Sequence, residues 1–210
     1  EAAQVEALAE AAFAVGGAVD LLCNNAGVGC NGRAWEQSVA DWEWLLGVNL
    51  MGVVHGLRSF VPRLLTQGTP AHVVNTSSMM GLLAAPGLGA YAATKHAVVA
   101  LSEALRMDLE SCGAEVGVSL LCPGPVDTRV FEQRGRPAGD DHAEARAQRD
   151  ALGAVLAAAM DPAEVAEAVL DAVDVGRFFV LSSPEYVAGT EARTERIRRE
   201  ADAARERAEA

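Results

Sequence analysis

The chain has 210 residues, half of them apolar and 22% charged. This balance excludes disordered, fibrous and disulfide-stapled classes and suits one soluble α/β-sized domain with a sizeable core. Seventeen basic against twenty-nine acidic residues gives a net charge of −12, which argues against nucleic acid or an anionic membrane as partner, because phosphate binding needs clustered Lys and Arg.

Residues 2–15 place Val5, Leu8, Ala9, Ala12 and Phe13 on one stripe, which predicts an amphipathic helix stopped by Gly16-Gly17. The apolar run 19–23 reads as a buried strand entering the turn Asn24-Asn25-Ala26-Gly27. A long helix is expected from Ser38, with Asp41 completing a capping box, to about Gln67, with Gly68 after its end and Pro62 kinking its last turns. A strand over 72–76, a helix over 91–111 closed by Gly113, and a strand over 115–122 follow. Pro123-Gly124-Pro125 then turns the chain. Residues 129–160 show no sharp period and read as a mobile loop or lid with a short helix. Asp161-Pro162-Ala163-Glu164 opens a helix ending near Asp174.

A short strand over 178–182 precedes a tail, 191–210, that holds six acids and six arginines and reads as a solvated, fraying helix. Strands alternating with long helices imply right-handed crossovers and a parallel sheet, hence an α/β class. Residues 1–190 read as a single domain and 191–210 as its charged helical tail. The charge-free window 73–94 is broken by Asn75, Thr76, Ser77, Ser78, Pro86 and three glycines, so it does not read as a membrane span. Cys23, Cys30, Cys112 and Cys122 form no C-x-x-C pair and read as buried thiols in a reducing, cytoplasmic setting.

Of the seventeen basic residues only Lys95 is a lysine, and it stands one helical turn after Tyr91. Both belong to the stripe 91, 95, 98, 102, 105 and 109, so the phenol and the ammonium leave the same helix face. A phenol is a poor acid or base at neutral pH, and a nearby cation is expected to pull its pKa down toward the working range. The strand ending in Asn75-Thr76-Ser77-Ser78 leads into this helix, so Ser77 or Ser78 is expected at the ligand crevice facing Tyr91. Asn49, inside the apolar stretch 45–51, needs buried partners for its amide. A hydrolase built on Ser78 lacks the G-x-S-x-G elbow and an acid–histidine pair, with His72 and His142 reading as surface or strand-edge residues.

These residues resemble the short-chain dehydrogenase/reductase family. Asn24-Asn25-Ala26-Gly27 is similar to its N-N-A-G turn, Asn49 to its mid-helix asparagine, and Ser78, Tyr91 and Lys95 to its Ser…Tyr-x-x-x-Lys centre. Pro123-Gly124-Pro125-Val126-Asp127-Thr128 is similar to its P-G-x-[VI]-x-T turn, and the likeness runs to about residue 182. The resemblance implies a Rossmann-like doubly wound sheet and hydride transfer between NAD or NADP and an alcohol or carbonyl substrate. It implies Tyr91 as general acid/base, and Lys95 as the residue that lowers the Tyr91 pKa and holds the nicotinamide ribose. Ser78 would bond the reacting oxygen, and Asn49 would support a water relaying protons to Lys95. Asn25, Ala26 and Gly27 would contact the adenosine side of the cofactor, with Pro123, Gly124, Val126 and Thr128 at the nicotinamide. Met79, Met80, Leu82, Leu83 and Phe131 suggest a wall for an apolar substrate, with Leu82 and Leu83 reading equally well as simple core packing. Homo-oligomers are implied through helices 38–67 and 91–111, with Trp35, Trp42 and Trp44 serving such a contact or the core.

The family's glycine-rich diphosphate turn, G-x-x-x-G-x-G, is absent, and by resemblance Glu1 falls just after the third strand. The chain is therefore expected to be an N-terminally incomplete reductase lacking the first βαβαβ portion. Residues 27–32 fit G-x-G-x-x-G, but the next helical pattern starts near Ser38, against a fingerprint there. The missing turn also opens an alternative: a non-catalytic remnant that binds a ligand or partner.

Overall fold

The computed structural model describes residues 1–132, 135–137, 143–157 and 159–209. Its elements in chain order are α1 (Ala2–Gly16), β1 (Leu21–Asn24), α2 (Val39–Leu64), β2 (Ala71–Thr76), α3 (Gly89–Ser111), β3 (Val116–Cys122), α4 (Ala143–Ala157), α5 (Pro162–Asp174), β4 (Phe179–Leu181) and α6 (Val187–Glu209). The four strands form one parallel sheet in the order β1-β2-β3-β4, with Leu22 beside Val73, Val74 beside Ser119 and Leu121 beside Val180.

Alternate residues of the central strands face opposite ways. Val73, Val118 and Leu120 pack with Val53 and Leu57 of α2 and Val98 of α3. Val74, Leu121 and Val180 pack with Val165, Val169 and Ala172 of α5. Helices thus cover both faces, the doubly wound arrangement of a Rossmann-like fold.

The local signals act as their chemistry dictates. Ser38 Oγ accepts from the Asp41 N–H at 3.1 Å while the Asp41 carboxylate accepts from the Ser38 N–H at 3.1 Å, a full capping box. Asp161 accepts from the Ala163 N–H at 2.7 Å, and Pro162 occupies the first turn of α5. Gly17, Gly68 and Gly113 have φ of 74°, 77° and 65°, the left-handed conformation that lets the chain leave a helix. Length and composition alone would let α2 cross a bilayer; its Val53, Leu57, Phe60 and Leu64 are instead buried in this fold.

Several expectations are corrected. β1 is not fully buried, since Leu21 and Cys23 are exposed. Cys112 is also exposed, and only Cys30 and Cys122 are interior thiols. Leu8 of α1 is 60% exposed, so the packed stripe of that helix narrows to Ala9 with Val5, Ala12 and Phe13. Within 129–160 the described helix α4 is 15 residues long rather than short; residues 133, 134, 138–142 and 158, including His142, lie outside the described residues.

His72 is not at the surface or a strand edge. It is buried on β2, with Nε2 2.9 Å from Ser119 Oγ. Ser119 donates its one hydroxyl proton to the Arg177 carbonyl at 2.6 Å, so Nε2 of His72 must be the donor to Ser119. Burial holds the His72 pKa below its ordinary value. The unfolded chain therefore takes up the proton first, and fold stability is expected to fall as pH drops below about 6.5. Urea unfolding at pH 7.5 and 5.5 checks this, and a His72→Gln variant should lose the pH step.

Candidate active site

The carboxyl ends of β1, β2 and β3 open into a cavity of about 920 Å³. Asn25, Ala26, Gly27, Ser78, Tyr91, Lys95, Pro123, Gly124, Val126 and Thr128 all line it. Of the eleven residues assigned from the sequence to catalysis or the cofactor, only Asn49 is not part of this wall, and it acts from directly behind it; Leu82 and Leu83 are not in the wall either and pack against the core instead.

Tyr91 and Lys95 sit in the first turns of α3, 6% and 3% exposed. The Lys95 ammonium donates to the Thr76 carbonyl at the end of β2, at 3.0 Å, and stands 5.8 Å from the centre of the Tyr91 ring. Burial brings the lysine down to about 8, and burial pushes the Tyr91 phenol up to about 12 against a hydrogen bond from Ser78 that lowers it. This corrects the expectation for the tyrosine: removal from water outweighs the hydrogen bond with Ser78, so the side chain rests as a phenol.

The two serines separate cleanly. Ser77 turns inward and donates to the Lys95 carbonyl at 2.9 Å, locking β2 to α3. Ser78 faces Tyr91, and its Oγ accepts from the Met80 N–H at 3.1 Å, which fixes its orientation.

Asn49 lies in a π-helical segment of α2, Leu46–Met51, 1% exposed. Such widened turns recur at functional sites because they redirect one side chain out of register. Its Oδ1 accepts from the Val28 N–H at 2.8 Å; its Nδ2 donates to the Val28 carbonyl at 2.9 Å and to Thr94 Oγ1 at 3.0 Å. The amide thus clamps the chain just after Gly27 and ties it to the helix carrying Tyr91. A Cβ placed on Gly27 would come 3.3 Å from Lys95 Nζ and 3.6 Å from Asn49 Oδ1, so only glycine leaves this passage between them open.

Sequence reasoning missed a second layer. Asn24 Nδ2 donates to Asn75 Oδ1 at 2.9 Å, Asn75 Nδ2 to Ser102 Oγ at 3.0 Å, and Ser102 Oγ to the Val98 carbonyl at 2.7 Å, a polar chain from β1 through β2 to α3. Thr76 Oγ1 donates to Asn25 Oδ1 at 2.9 Å. The available signal was Asn75 directly after Val73-Val74 in the strand and Ser102 on the Tyr91 stripe, two polar groups that must meet partners inside. Arg136 also forks onto the buried Asp41 carboxylate, at 2.7 and 3.1 Å, joining the segment after β3 to the start of α2.

Phe131 packs on Tyr91 with ring centres 5.4 Å apart, in an apolar cluster with Leu156, Met80, Leu88 and Leu152. A Cβ on Gly29 would lie 2.4 Å from Phe131 Cε1, so Gly29→Ala is expected to push the ring off Tyr91 and raise KM about tenfold for a substrate that packs against that ring. Steady-state kinetics on that variant, with Phe131→Leu added to relieve the clash, checks it.

A doubly wound sheet whose strand ends gather serine, tyrosine and lysine beside a glycine passage has the architecture of a nicotinamide-dependent oxidoreductase. The family model described as short chain dehydrogenase matches residues 1–138. The chain is 33% identical to the CLA biosynthesis dehydrogenase/reductase of Lactiplantibacillus plantarum, over 93% of this chain and 71% of that one. It spans from 29% to 63% of the length of other curated oxidoreductases that it matches. Among solved structures, a short-chain dehydrogenase/reductase from Burkholderia phymatum in complex with NAD is 42% identical with a TM-score of 0.91, covering 95% of this chain and 74% of that one. An alcohol dehydrogenase from Thermococcus sibiricus complexed with 5-hydroxy-NADP is 25% identical with a TM-score of 0.67, covering 86% and 69%. The chain belongs to the short-chain dehydrogenase family, whose members use NAD or NADP.

The residues present fit part of that cofactor. The cradle that a Gly27 side chain would fill and the Lys95 ammonium, with two N–H groups beyond its bond to Thr76, suit the nicotinamide and its ribose. Residues 27–32 open no helix, since the next one begins only at Val39, so they lack the helix N-terminus that holds a diphosphate.

Proposed function

We propose that this protein interconverts an apolar secondary alcohol and its ketone, with Tyr91 as the proton-transferring group. The observation that carries the reading is the convergence of Ser78, Tyr91 and Lys95 on one cavity whose wall beside Tyr91 includes the apolar Met80, Leu88, Phe131, Leu152 and Leu156. Gly27, Lys95, Val126 and Thr128 would hold the nicotinamide, which would supply or accept the hydride when bound.

In the reducing direction Ser78 and the Tyr91 hydroxyl hold the carbonyl oxygen, and Tyr91 passes its proton to that oxygen as the carbon is reduced. The phenolate left behind is stabilised by the Lys95 ammonium. Asn49 holds Val28 and so keeps Gly27 and the passage beside Lys95 in place. The dry wall around Phe131 favours a substrate with apolar groups on both sides of the carbonyl.

Lys95, held near 8, must be charged to support the phenolate. The kcat of carbonyl reduction is therefore expected to be level below about pH 8 and to fall above it as the ammonium is lost. A pH profile of kcat with saturating cofactor tests this, and a rate that climbs steadily from pH 8 to 10 would refute the proposed role of Lys95.

A further inference from the structure

Residues 191–200 of α6 are exposed without interruption, and Ile197 among them is 58% exposed. A 23-residue helix gains little stability without a packed face. Its sequence nevertheless carries a sustained seam. Val187, Thr190, Thr194, Ile197, Ala201, Ala204 and Ala208 follow one another at alternating steps of three and four, and all are uncharged. This is the a/d spacing of a helix that packs along another helix.

The charges beside the seam select the partner. Glu191, Arg198 and Arg205 flank it on one side, and Arg193, Glu200 and Arg207 on the other. In an antiparallel pair each flank meets the same flank of the second helix. With Thr194 opposite Ile197 of the second copy, Arg193 meets Glu200 and Glu191 meets Arg198, each contact occurring twice by symmetry. Moving the register by one heptad toward the N-terminus sets Arg193 against Arg193 and Glu191 against Glu191. A shift toward the C-terminus sets Arg198 against itself and Glu200 against itself, and a parallel pair sets Arg193 against Arg198. One antiparallel register alone therefore makes these inner contacts between opposite charges.

Among the described residues, the ion pairs within the helix, Arg199 with Glu195 and Arg205 with Asp202, leave Glu191, Arg193, Arg198 and Glu200 uncommitted. Residues 191–210 are also electrically neutral, six acids against six arginines, so the net −12 resides in the rest of the chain and does not oppose contact along the tail.

We propose that α6 is a self-association element, pairing antiparallel with α6 of a second copy in the register that sets Thr194 against Ile197. The surface lies on a different element from the cavity and does not depend on the reaction assigned to it.

Sedimentation of the full chain at low and high salt tests the pairing. Arg193→Glu sets a carboxylate against Glu200 at both symmetric contacts, so the dissociation constant should rise about tenfold or more, and Glu200→Arg should do the same. Mixed in equal amounts, the two variants restore both opposite-charge contacts between unlike copies, so association should return to within about threefold of the parent chain. A tail that merely unfolded in either variant would not recover on mixing. Association unaffected by Arg193→Glu, or a mixture as weak as its components, would overturn the proposal.

Discussion

Tyr91→Phe is expected to lower kcat about a thousandfold while leaving NADH or NADPH affinity within about threefold of the unaltered protein. The change removes one oxygen and nothing else. The ring keeps its contact with Phe131. Ser78 Oγ keeps the Met80 N–H as a donor and so stays in place. What disappears is the hydroxyl proposed to deliver a proton opposite Ser78, together with half of the hydrogen bonding proposed for a carbonyl oxygen. Steady-state kinetics and a fluorescence titration of the reduced cofactor, run on the same preparation, separate the two effects. A variant that keeps its kcat would remove Tyr91 from the reaction.

Lys95→Met is expected to abolish measurable turnover and to make the fold no weaker at pH 7. The ammonium is 3% exposed, and its pKa falls from 10.5 to about 8, so burying its charge costs about 3 kcal/mol at neutral pH. Between pH 8 and 10.5 the unfolded chain binds more protons than the folded one, so this cost is fully present below pH 8 and is relieved as pH rises through that window. Methionine has a similar length and no charge, which removes the cost. It also strips the Thr76 carbonyl of its donor, a loss of about 1–3 kcal/mol. The two effects nearly cancel, leaving a melting temperature at pH 7 equal to or a few degrees above that of the parent. As pH rises from 8 toward 10.5 the parent gains on the variant, because its folded lysine loses its charge and the cost of burying that charge falls away. Thermal unfolding at pH 7 and pH 10 checks the sign.

Much of this is legible in the sequence. The Ser38–Asp41 box, the Asp161-Pro162 start of α5 and the glycines at 17, 68 and 113 are local signals, and local chemistry decides them. The Tyr91 and Lys95 pairing is legible for the same reason, since residues four apart on a helix always share a face. What depends on distant chain is not. β1 reads as buried because its residues are apolar, yet burial belongs to whatever packs against it. His72 reads as peripheral because a histidine looks polar, while Ser119, forty-seven residues away, and the Arg177 carbonyl make an interior place for it. The lysine that argues for a lowered Tyr91 pKa is visible in the sequence, whereas the walls that desolvate the phenol come from the segment after β2, the segment after β3 and α4. The π-helical turn that aims Asn49 at Val28 leaves no periodic trace at all.

The central claim is that one cavity performs both halves of the reaction, hydride to carbon and proton from Tyr91 to oxygen. A single-turnover reduction of apolar ketones with cofactor deuterated at the transferring position of the nicotinamide tests it most directly. The expected result is one deuterium on the carbinol carbon of the product with the unaltered protein, and no product from Tyr91→Phe although cofactor remains bound. Deuterated alcohol formed at the parental rate by Tyr91→Phe, or product without deuterium from the parent, would contradict it.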